Sequence, residues 1–98
     1  MTAKLKRIRG SDNIFRDLGF SRVEAENLRL RAELMMRIDS FYRGSGMTQA
    51  AAAKVLGLTQ PRLNALLKGR LAQFSLDALV NIASRAGLNV RIVVRKAA

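Results

Sequence analysis

The chain contains no cysteine, no histidine and no tryptophan, a single proline, and only seven acidic residues among its 98. Without cysteine there can be no disulfide and no thiolate metal site. Without histidine the chain lacks the commonest general base and the commonest transition-metal ligand. No catalytic residue, metal or cofactor is therefore expected, and an enzyme is not the reading. No apolar run approaches the roughly 20 residues that a membrane helix requires. The basic start "MTAKLKRIRG" leads into no apolar segment, so it does not read as a signal peptide. A cytoplasmic protein with no membrane partner is expected.

Against seven acids stand eighteen lysines and arginines, a net charge of +11. An excess of this size on a small chain points to a polyanionic partner, nucleic acid first. The charges are also segregated. Residues 40–76 contain no Asp or Glu, yet they carry Arg43, Lys54, Arg62, Lys68 and Arg70. Binding an anion would produce that segregation; solubility alone would not require it. The apolar fraction of 49% fits one globular domain.

Three zones follow along the chain. Residues 1–20 form a basic leader, partly packed: "KLKRIR" is uniformly positive, while Ile14, Phe15, Leu18 and Phe20 are too apolar for a free linker. Residues 21–88 form a helical domain. Ser21 and Glu24 make a capping box for a helix to about Arg43, whose Leu30, Leu34, Ile38 and Phe41 fall on one stripe, with Met35 and Tyr42 at its edge. Thr48 and Thr59 cap two short helices, the second with Leu63, Leu66 and Leu67 inward, and Ser75 caps a fourth helix that ends at Gly87. Residues 89–98 form a C-terminal strand and tail. There Val90, Ile92 and Val94 alternate with Arg91, Val93 and Arg95 at a period of two. A lone strand leaves its ladder unmade. It needs a partner, either the leader of the same chain or the same segment of a second copy. The second alternative makes Val90, Ile92 and Val94 a dimer interface.

The most specific signal is "TQAAAAKVLGLTQPRLNALLKGR", Thr48 to Arg70. Counting from Gln49, Ala53 falls four on, Gly57 eight on, Leu63 fourteen on and Leu66 seventeen on. That is helix-turn-helix spacing: a small residue where two helices cross, a glycine for the turn, and apolar residues that pin the second helix to the first. The outward face of the second helix then carries Gln60, Pro61, Arg62 and Asn64. Glutamine and arginine can each bond a base edge bidentately in a major groove, so these four are the expected base contacts. Thr48 and Gln49 open a helix whose N-terminus suits a phosphate, and Lys54, Lys68 and Arg70 could add phosphate contacts.

On these residues the chain resembles the Xre/Cro–cI repressor family. "NIFRDLGF", "LTQPRLNALLKG" and "FSLDALVNIASRAGLNVRIVV" are similar to its HigA-like antitoxin branch. The resemblance implies a lambda-repressor-like, mainly all-α helical bundle, here with one C-terminal β-strand. It also implies a homodimer on a palindromic operator and autorepression of transcription. In antitoxin members it further implies a small co-encoded toxin as partner. Two other readings stay open: a module whose main task is to cover a toxin, and a non-specific basic binder of RNA or DNA.

Overall fold

Four of the helices begin where a short hydroxyl side chain satisfies an orphan backbone donor. A computed structural model gives the arrangement of residues 14–96, and the "KLKRIR" run lies outside them. Helix α1 spans Ile14–Asp17, α2 Arg22–Ser45, α3 Gln49–Leu56, α4 Gln60–Leu67 and α5 Leu76–Arg85, with a 3-10 turn at Leu71–Gln73. Thr48 Oγ1 accepts from Ala51 N at 3.2 Å, Thr59 Oγ1 from Arg62 N at 3.3 Å and Ser75 Oγ from Ala78 N at 3.1 Å. At α2 the capping box is complete. Glu24 N donates to Ser21 Oγ and Ser21 N donates to Glu24 Oε1, both at 3.2 Å.

α2 is the spine. α5 runs along it, and α1, α4 and the 3-10 turn also rest on it, while α3 touches α4 and α5. With neighbours on several sides, its buried arc is wider than one narrow stripe. Ala25, Ala32, Met35, Met36, Ile38 and Asp39 are all buried. Of the four residues expected to face the core, only Ile38 is fully enclosed; Leu34 and Phe41 are half-buried and Leu30 is 38% exposed. The fully buried side chains Phe74, Met35, Ile38, Leu56, Leu63, Leu66 and Leu79 come from α2, α3, α4, α5 and the segment before α5. Each contributes about 1.5–3 kcal/mol by leaving water. Of the described leader residues, Phe15 is buried and meets Phe20 edge-on at 6.3 Å, Ile14 is half-buried against the core, and Leu18 is exposed.

The C-terminal strand is a correction. Among the described residues there is no strand at all, and residues 89–96 run irregularly beside α2 and α5. The cause is the missing ladder. Alternation can select a face, but extended backbone becomes a sheet only when a neighbouring strand takes its N–H and C=O groups. No described segment does so. Val90 alone packs against the core, and Ile92 and Val94 are 79% and 88% exposed.

The turn between α3 and α4 is Gly57, Leu58 and Thr59. Gly57 has φ +70°, and its N–H donates to the carbonyls of Ala53 and Lys54. A Cβ there would lie 2.8 Å from Arg85 Nε and 2.9 Å from Arg85 Cζ. Gly57→Ala is therefore expected to cost about 1–3 kcal/mol. Adding Arg85→Ala should not restore it, because the left-handed angle remains. Urea denaturation checks both, and a Gly57→Ala protein as stable as wild type would show that the turn does not need the angle.

Hydrogen bonding to the Ser21 side chain, and then to its N–H, holds the Glu24 carboxyl below its ordinary value of 4.5. A depressed carboxylate stabilises the fold above its ordinary pKa, and that contribution is lost as pH falls through the folded pKa. Thermal melts taken from neutral into acid pH should show a shallower decline for Glu24→Gln than for wild type. Identical declines would mean that the capping box does not titrate with folding.

Candidate nucleic-acid interface

α4 is amphipathic over barely two turns. Leu63, Leu66 and Leu67 are buried against the bundle, so the rest of the helix must face outward. Gln60 and Pro61 in its first turn are exposed, Arg62, Asn64 and Ala65 are half-buried, and Lys68 just past its end is exposed. Gln60 and Asn64 are four apart and share one face. Pro61 lacks an N–H at a position where no helical bond is needed.

α3 supplies the second part of the surface. Thr48 at its N-cap is exposed and Gln49 is half-buried, and no acid stands in its first turn. Lys54 and Arg70 are both exposed. The ion pairs, by contrast, start on α2. Arg29 meets Glu26 at 2.6 Å and Glu33 at 3.8 Å, and Arg43 lies 3.4 Å from the buried Asp39. Arg29 also holds the Glu26 carboxyl below its usual value. The ion-paired acids thus sit on the spine while α3, α4 and the following turn present only cations, which keeps the positive potential of that face intact.

Arg62, expected at a base, makes contacts within its own chain. Its Nη1 donates to Gln73 O at 3.2 Å, and its Cζ stands 4.3 Å from the centre of the Phe74 ring. The side chain is engaged on its own protein, on the segment between α4 and α5. From α2, Arg31 Nη1 reaches the same segment and donates to Leu71 O at 3.1 Å and Phe74 O at 3.2 Å. Neither Arg31 nor Phe74 is singled out by sequence periodicity. Phe74 did carry a signal, because it directly precedes the Ser75 cap and stands five residues before Leu79, the arrangement of a hydrophobic staple. Phe74 and Leu79 are both buried, and Arg31 is half-buried.

A different surface lies on the other side of α2. Leu30, Leu34 and Phe41 of α2, Val80 of α5, and Val90, Ile92 and Val94 line an open trough of about 1040 Å³. The three residues expected at a dimer interface therefore share one apolar face, away from α4. Among the described residues no helix is long and apolar enough to cross a membrane.

Residues 14–95 match the model of a helix-turn-helix domain family. A solved structure assigned to the XRE family of transcriptional regulators is similar at 31% identity and a TM-score of 0.70, covering 76% of this chain and 83% of the other. No curated protein matches the chain.

Removing the hydroxyl that starts each motif helix, in Thr48→Ala or Thr59→Ala, should cost about 0.5–2 kcal/mol. Chemical denaturation checks this; a loss near zero at Thr59 would mean that water caps α4 equally well.

Proposed function

The chain belongs to the XRE family of helix-turn-helix transcriptional regulators, and from that premise we propose that it is an autorepressor reading double-stranded DNA sequence-specifically. The observation that carries this reading is the outward face of α4, polar and cationic and without a carboxylate in residues 40–76. α4 enters the major groove. Gln60 and Asn64 meet base edges and Pro61 touches a thymine methyl. Thr48 and Gln49 at the start of α3, with Lys54, Lys68 and Arg70, meet phosphates, as positions of the family's binding surface would.

The protein acts as a homodimer on a palindromic operator. The trough along α2, with exposed Leu30, Ile92 and Val94, is apolar surface that a second copy would cover. A two-fold axis there would set two α4 helices about one DNA turn apart, roughly 34 Å. The same exposed trough supports a second reading, an antitoxin whose apolar face receives a small co-encoded toxin. Co-purification with the product of an adjacent gene tests it, and failure to bind that product removes it.

Fluorescence anisotropy against DNA from upstream of the gene and a scrambled control is the direct test. A preference of about 10³-fold or more at physiological salt is expected; equal binding that collapses with salt would leave only a non-specific basic binder. Gln60→Ala should reduce discrimination by about 1–3 kcal/mol, and unchanged discrimination would move the reading face elsewhere. Ile92→Asp should shift the protein to monomer by light scattering and weaken operator binding. An unchanged dimer would place the interface off the trough.

A further inference from the structure

Two arginines from different helices grip the short segment between α4 and α5. Arg31 holds Leu71 O and Phe74 O from the α2 side, and Arg62 holds Gln73 O from the α4 side. Three carbonyls within four residues thus accept from guanidinium groups. Arg62 also lies over the Phe74 ring, whose own residue is 1% exposed, so its platform is fixed by the core. Among the described residues no carboxylate pairs with either arginine. That choice of partners matters. A carboxylate would cancel the arginine's charge, whereas a carbonyl dipole and a π face hold the guanidinium and leave its charge in the surface potential.

The grip reaches Arg70 through few bonds. Gln73, whose carbonyl Arg62 holds, donates its own N–H to Arg70 O at 3.1 Å. Arg70 N in turn donates to Ala65 O at 3.2 Å, closing the end of α4. The backbone carrying exposed Arg70 is therefore tied at one side to the last turn of α4 and at the other, by way of Gln73, to Arg62 in its first turn. To read a base, the Arg62 side chain would have to leave both the carbonyl and the ring.

We propose that Arg62 is a positioning residue, not a base reader. It fixes the Arg70–Gln73 segment against the first turn of α4, so that Arg70 meets the DNA backbone in register with Gln60 and Asn64. This rests on the DNA-binding reading above and refines the role of one residue within it.

The test uses the full chain as wild type, Arg62→Ala, Arg62→Lys, Arg70→Ala and the double variant Arg62→Ala/Arg70→Ala. The probes are a duplex that the wild type selects from a random pool and a shuffled duplex of the same composition, titrated by anisotropy at two salt concentrations, with circular dichroism melts to show that each variant is folded. Arg62→Ala is expected to weaken both duplexes by the same factor, within about twofold, the usual limit of independence. Arg62→Lys keeps the charge but not the planar fork and should bind as Arg62→Ala does. Arg70→Ala should reduce the salt slope by about one in the wild-type background and by clearly less in the Arg62→Ala background, because Arg70 is already displaced. A merely structural role for Arg62 would lower melting temperature without making Arg70's salt slope depend on it.

Three results overturn the proposal. One is a fall in preference for the selected duplex of about 5-fold or more on Arg62→Ala, the mark of a base contact. Another is an Arg62→Lys protein that binds like wild type. The third is an Arg70→Ala effect of equal size in both backgrounds. Should Arg62→Ala fail to fold, Arg62→Lys and Arg62→Lys/Arg70→Ala decide by the same criteria. A wild type that selects no duplex at all overturns the DNA reading and this proposal together, whereas a discriminating wild type with any of the three results overturns this proposal alone.

Discussion

Everything on the interface depends on how closely α3 and α4 approach at their turn. The chain must reverse between Leu56 and Gln60, and Gly57 does so at a positive φ while its N–H closes the end of α3. Ala53, buried on α3, is small enough to let the helices cross there. Once that crossing is set, Leu63 and Leu66 can reach the core only from one side of α4. Gln60, Pro61 and Asn64 are then turned outward with no further instruction. The polar face is a consequence of where the leucines go.

The second constraint is electrostatic. A face that binds a polyanion has to keep its cations from being neutralised within the chain. Among the described residues the ion-paired acids lie on α2, where Glu26 and Glu33 meet Arg29 and Asp39 lies under Arg43. Where a cation near α4 does need a partner, it is given neutral ones. Arg62 has a carbonyl and an aromatic ring, which hold its geometry without spending its charge.

Much of this was legible in the sequence, and the parts that were not have physical causes. The caps at Ser21, Thr48, Thr59 and Ser75, the glycine stops and the helix-turn-helix spacing are local, and local patterns set local structure. The burial of α2 was less legible, because a helix with neighbours on several sides does not confine its core to one stripe. Leu30 and Phe41 fit the helical period yet line a trough, while Ala25, Ala32 and Met36 do the close packing. The C-terminal segment failed for another reason. Its period of two is real, but a strand is a property of a pair of segments, and periodicity in one of them does not supply the other. Arg62 shows a third limit: residue type and position put it on the outward face of α4, but not its partners within the chain, Gln73 O eleven residues on and the Phe74 ring.

We propose that the surface of α4, the start of α3 and Arg70 is the face that meets DNA. The measurement that tests it most directly is titration of isotope-labelled protein with a selected duplex, following every backbone amide by NMR. The account predicts that the largest shifts cluster at Thr48, Gln49 and residues 60–70, with the α2 trough little changed except for effects of dimerisation present before DNA is added. Shifts concentrated along Leu30, Leu34, Phe41 and Val90, with α4 silent, would contradict it and make the trough, not the helix-turn-helix, the nucleic-acid surface.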